Sequence, residues 1–269
     1  MLIRIGFDLL FDVPGPAPMN LMLSVRPERC PTLLMPENLI VEPHTPVTFF
    51  SDSFGNCCGR MVAPAGKVRF TADAIVSDSG LPTPVSLNSI QHPVQDLPPE
   101  CLQFLLASRY CEVDLLQDTA WKLFEKTPMG WGRVQAICDF VHNHIQFGYA
   151  FARSTRTAAE GFSERQGVCR DFTHLAVTFC RCMNIPARYT TGYLGEIGVP
   201  PAPPGDFSAW FEVYLGGRWW TFDARFNTPR IGRVAMAYGR DAADVALTTS
   251  FGVTTLEKFL VCTDEIRGD

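Results

Sequence analysis

The chain has 269 residues, 46% of them hydrophobic, and a formal net charge of −5 at neutral pH. That is enough apolar material for two packed domains, and the acidic balance argues against nucleic acid or an anionic membrane as a partner. No apolar run reaches the ~18 residues of a membrane span. The opening MLIRIGFDLLFDVPG, interrupted by Asp8 and Asp12, lacks the continuous apolar core of a signal peptide.

The ten cysteines are irregularly spaced and contain no C-x-x-C pair. A reducing cytoplasm is the simplest expectation, without a disulfide framework. Cys57-Cys58 and Cys180-x-Cys182 lack zinc-ligand spacing, and no acidic loop has the spacing of a calcium site. No metal and no cofactor are expected, and the sequence does not give the oligomeric state.

Residues 1–95 are proline-rich, with short apolar runs such as MLIRIGFDLLFDV, VTFFSDSFGNCCGRMVAP and GKVRFTADAIVSD between turn residues. They predict a β-rich, sandwich-like domain. QHPVQDLPPE, from Gln91 to Glu100, is a proline-punctuated connection, which makes 96–269 the second domain. There CLQFLLASRYC and TAWKLFEK read as helical. So does GWGRVQAICDFVHNHIQFGY, where Val134, Ile137, Cys138 and Val141 recur at helical spacing. A polar loop is expected from Ala152 to Gln166. Residues 169–184 form a further helix with Phe172, Leu175, Ala176 and Phe179 as its apolar stripe.

ARYTTGYLG reads as a strand, EIGVPPAPPGD as a loop, and DFSAWFEVYLGGRWWTFDARFN as a hairpin turning at Gly216-Gly217. Strands near RIGRVAMAY and in VTTLEKFLVCTDEI follow. Helices first and an antiparallel sheet afterwards give an α+β second half.

Gly167-Val168-Cys169-Arg170-Asp171 opens the central helix. A thiol at a helix N-terminus meets unpaired N–H groups and the positive end of the dipole, so it ionises more easily there. The same N–H groups suit an oxyanion.

GVCRDFTHLAVTFCRCMNIPARYTTGYL, followed by the AW-EVYL-GG-W--FDAR hairpin, resembles the bacterial transglutaminase-like superfamily, papain-like cysteine acyl-transfer and peptidase domains. The β-rich first third resembles the domain that often precedes this core. The resemblance implies a Cys-His-Asp triad with Cys169 as nucleophile and Asp223 as the acid that orients the base. Its histidine falls at Ser208. A serine hydroxyl is too weakly basic to replace imidazole, and general-base assistance is worth about a hundredfold to ten-thousandfold. Asp223 would then lack its cationic partner and would raise the Cys169 pKa.

His174 lies roughly 140° around the helix from Cys169. His142 and His144, near the end of the preceding helix, remain open as substitutes. His44 and His92 would need the first domain to cover the site. Arg170 and Asp171 are expected to pair at the helix start, and Arg225 to keep Asp223 ionised. Trp210, Tyr193 and Tyr149 are candidate substrate-groove residues. Two functions follow. One is an acyltransferase, peptidase or amidase acting on a peptide or protein amide. The other is a peptide- or protein-binding module on a degenerate enzyme fold.

Overall fold

The computed structural model describes residues 1–200 and 205–267, so the expected loop EIGVPPAPPGD lies outside the described residues at 201–204. Strands β1 (Leu2–Val13), β2 (Ala17–Leu21), β3 (Leu33–Met35), β4 (Ile40–Glu42), β5 (Thr48–Ser51), β6 (Cys57–Ala63) and β7 (Gly66–Ser77) occupy the first third. In β1 the side chains of Ile3, Ile5, Phe7, Leu9, Phe11 and Val13 are buried or nearly so. In β7 those of Val68, Phe70, Ala72, Ala74 and Val76 are. This period of two gives each strand one inward face.

The helices are α1 (Pro99–Leu102), α2 (Val113–Phe124), α3 (Trp131–His144), α4 (Ala158–Glu164) and α5 (Cys169–Cys182). The short pair β8 (Gln146–Phe147) and β9 (Gln166–Gly167) is parallel and precedes α5. Then come β10 (Ala187–Leu194), β11 (Phe207–Leu215), β12 (Arg218–Phe222) and β13 (Arg233–Gly239), an antiparallel sheet in the order β12-β11-β10-β13. The β11–β12 turn is Gly216-Gly217, with φ of 57° and 85°. Both residues sit in the left-handed region that a two-residue hairpin loop requires.

The chain ends with β14 (Thr248–Ser250) and β15 (Thr255–Ile266). The expected division at 95/96 puts both in the second domain. They instead join the sheets of the first: β15 pairs with β1 from Leu2↔Ile266 to Asp12↔Thr255, and β14 pairs with β2. The physical reason is the free edge of β1, whose N–H and C=O groups need partners on the side away from β7. The resulting sheets, β15-β1-β7-β3 with β4 on β7 and β14-β2-β6-β5, bury their inner faces in one core.

Helix α5 is central, with every residue from Asp171 to Cys182 buried. Such all-round burial is the pattern of an interior helix and goes beyond the single apolar stripe expected of this central helix. It packs with α2 and α3 against Phe211, Val213, Leu215 and Phe222 of the hairpin. Tyr193, Phe207, Val234 and Met236 of the same sheet enter the core of the strand sandwich. The expected loop 152–166 contains α4, started by a capping box in which Thr157 accepts from the Glu160 N–H and Glu160 from the Thr157 N–H. CLQFLLASRYC is helical only at its start, in α1 and a following 3-10 turn. No helix among the described residues is long and apolar enough to cross a membrane.

Candidate active site

Cys169 is the first residue of α5 and is partly buried against Tyr189, Ala209, Ala237 and Val245. The helix start is fixed by Asp171, whose carboxylate folds back to accept the Val168 N–H at 2.8 Å. A side chain at Gly167 would meet that carboxylate at 2.5 Å, so only glycine leaves room for it. The expected Arg170–Asp171 pair does not form. Asp171 is bridged at 3.0 Å by Arg156, while Arg170 donates to the carbonyls of Arg153 and Ser154 and lies over the Tyr110 ring. Arg156 wins because its guanidinium is buried beside the carboxylate, where an unpaired charge is costly.

Burial pushes the Cys169 thiol up to about 11; the Arg225 charge and the facing Ala209 N–H oppose this, while Asp206 and Asp223 add to it. Cys169 opens on a cavity of about 290 Å³ whose walls include Arg170, Tyr189, Thr191, Asp206 and Ser208. Asp206, Phe207 and Ser208 also line a neighbouring cavity of about 340 Å³, with Tyr149, Arg225 and Cys262. The structure therefore brings Cys169 and Ser208 to one cavity. Ser208 is buried, and its Oγ has no hydrogen-bond partner among the described residues.

Asp223 follows the last residue of β12 and does not line the Cys169 cavity. Its Oδ1 accepts the N–H groups of Arg225 at 2.9 Å and Phe226 at 3.1 Å. Its Oδ2 accepts from the Arg233 guanidinium at 2.7 Å. The expectation that Asp223 lacks a cationic partner is thus corrected, because β13 supplies one. Arg225 serves Asp223 through its backbone alone. Its side chain lies over Phe147, 3.8 Å from the ring centroid, and its charge acts on Cys169 and Asp206.

The candidate groove residues separate. Tyr193 is 0% and Trp210 2% exposed, so neither offers surface to a substrate. Tyr193 packs on Phe207, and Trp210 lies under Arg233. Tyr149 is 43% exposed and lines the larger cavity.

No histidine lines either cavity among the described residues. His174 is fully buried between the Tyr110 and Tyr189 rings, and its Nε2 accepts the Ala242 N–H. His142 Nδ1 meets the carbonyls of Ala224 and Arg225, His144 Nε2 that of Phe162, and His92 Nε2 the Gly217 N–H. Asp206 is the residue that sequence reading passed over. It lies two positions before Ser208, beside a proline-rich loop, and no periodicity marks it.

The family model described as the transglutaminase-like superfamily matches residues 118–224. A solved structure named "Putative Cysteine Protease" from Cytophaga hutchinsonii is similar over the whole chain and 92% of its own length, at 33% identity and a TM-score of 0.85. Uncharacterized protein ML0607 of Mycobacterium leprae is 36% identical over 85 residues, 30% of either chain. The periplasmic domain of TgpA from Pseudomonas aeruginosa has 13% identity and a TM-score of 0.40, over 83% of this chain and 88% of that one.

Proposed function

The chain belongs to the transglutaminase-like superfamily, and on that premise we propose that it is a cysteine acyltransferase or amidase acting on peptide or protein amides through Cys169. The observation that carries this reading is the setting of the sulfur. It stands at the first turn of a buried helix, faces the Ala209 N–H, opens on a cavity, and feels the charge of Arg225 from the wall of the neighbouring cavity. A helix terminus and a cation both favour negative charge on sulfur. Ser208 occupies the position of the family's imidazole, so acyl transfer is slower than a complete triad would give. The acyl group leaves Cys169 to water or to an amine. All ten cysteines are unpaired, which supports a reducing cytoplasm as the compartment.

A second reading, a non-catalytic peptide- or protein-binding module on the same fold, is favoured by one observation: no histidine reaches either cavity among the described residues. One measurement separates the two. Wild type and Cys169→Ala are compared for release of an amine from a peptide amide and for incorporation of a fluorescent amine into a protein. The enzyme reading expects slow turnover that Cys169→Ala abolishes. Equal traces from the two proteins leave the binding module. Alkylation against pH tests the base position. Ser208→His should lower the apparent pKa of Cys169 and raise alkylation near neutral pH by roughly tenfold or more. An unchanged profile would remove Ser208 from that position.

A further inference from the structure

A thiol held near 11 stays protonated at neutral pH, so attack by Cys169 needs a group on its own cavity wall that takes the proton. Ser208 is too weakly basic, and no histidine lines either cavity among the described residues. Asp223 is held by two N–H groups and Arg233 outside the Cys169 cavity. Asp206 remains. It lies two residues before Ser208, just ahead of β11, and lines both the Cys169 cavity and the larger one beside it. The Phe207 N–H, the Arg225 guanidinium and the Tyr149 hydroxyl face its carboxylate.

Resting on the acyl-transfer reading above, we propose that Asp206 is the general base of Cys169, with Arg225 and Tyr149 positioning it, so that a Cys–Asp pair works where the family places Cys and His. As the Cys169 sulfur bonds to the carbonyl carbon, its proton passes to an Asp206 oxygen and the C=O π pair moves onto the carbonyl oxygen. Collapse of that oxyanion breaks the C–N bond. The departing amine takes the proton from Asp206 and leaves a thioester on Cys169. Water then attacks the thioester and gives a proton to Asp206. The expelled sulfur takes that proton back, restoring thiol and carboxylate. An incoming amine follows the same route to transamidation.

The protonation states suit this sequence. Burial pushes Asp206 up to about 6, opposed by the Phe207 N–H, Arg225 and Tyr149. Above that value Asp206 is the carboxylate while Cys169 is still the thiol, and a base that titrates near the working pH is an effective one. The other charged or titratable groups on the two cavity walls are Arg170, Tyr189, Glu196, Cys262 and Asp264. Of these, Glu196 is paired with Arg230 at 2.8 Å.

The test uses p-nitrophenyl acetate, with release of p-nitrophenolate followed from about pH 4.5 to 9 and the acetyl adduct located on Cys169 by peptide mass. A wild-type rate rising through about pH 6 is expected. Asp206→Asn should lower it about a hundredfold to ten-thousandfold and lose that rise, and Asp206→Glu should restore part of both. Iodoacetamide should give the opposite sign, because removing a negative charge beside the sulfur lowers its pKa. Alkylation of Asp206→Asn near pH 8 should therefore be several-fold faster than wild type. Equal acetylation of wild type and Asp206→Asn would overturn the base and leave the enzyme reading standing. A parallel fall in acetylation and alkylation would also overturn it, in favour of a structural role. Wild type acetylated no faster than Cys169→Ser would sink both together.

Discussion

Asp206 and Asp223 stand at the two ends of one hairpin, the first just ahead of β11 and the second just after β12. Their surroundings differ in kind. Asp223 is held at every turn: two backbone N–H groups on one oxygen and the Arg233 guanidinium at 2.7 Å on the other. Asp206 is partly buried without a salt bridge among the described residues, and its carboxyl is pushed up to about 6. A carboxylate locked to a guanidinium serves structure, and one without a salt bridge, pushed up by burial beside a thiol, is the better placed to exchange a proton. Environment, and not residue type, divides the two roles.

The sharpest way to break this contrast is to remove the cation from Asp223. Its side chain is 3% and that of Arg233 10% exposed. Arg233→Met leaves a buried, uncompensated carboxylate, and the expected loss of stability is about 3–5 kcal/mol, read from the urea midpoint at unchanged slope. Adding Asp223→Asn to Arg233→Met should return most of that loss, since the neutral amide oxygen still accepts the Arg225 and Phe226 N–H groups while the uncompensated charge is gone. A single-mutant loss well below ~1 kcal/mol would mean that Asp223 does not depend on Arg233.

Asp206 should behave in the opposite sense. Its folded-state pKa of about 6 exceeds the ordinary 3.8, so the native state holds the proton more tightly than the unfolded chain. Stability is then lost as pH rises through about 4 to 6. At about 1.4 kcal/mol per pH unit, the cost approaches ~3 kcal/mol at neutral pH as an upper bound. Asp206→Asn removes that cost, so it should be more stable than wild type near pH 7 and level with it near pH 4. Taking the difference between the two proteins cancels Glu37, a partly buried acid that desolvation also pushes up, to about 7. A difference that does not change with pH would show that Asp206 carries no desolvation penalty.

The parts of this arrangement written locally were legible. Glycines 216 and 217 announce the hairpin, and Cys169 follows a glycine at the start of an apolar periodic segment. Thr157 and Glu160 spell a capping box that the loop reading passed over. What tertiary contact supplies was not legible. Arg233 reaches Asp223 from another strand, and β15 finds β1 across almost the whole chain. The burial of Tyr193 and Trp210 is hidden for a related reason: a strand's spelling does not say which of its faces is covered, and here each is enclosed by packing that arrives from elsewhere in the fold.

Ser208 gives the smallest expected effect and bears most directly on how the two carboxylates came to differ. Its Oγ is buried and has no hydrogen-bond partner among the described residues, so removing the hydroxyl breaks no bond there. Ser208→Ala should therefore be neutral or stabilising by up to ~1 kcal/mol. If Asp206 is the base, the same substitution should leave the pH at which acetylation rises unchanged, because the proton does not pass through the serine. A proton relay through Ser208 would instead slow acetylation about tenfold or more in Ser208→Ala, and stopped-flow comparison of the two proteins at one pH above the rise distinguishes these cases.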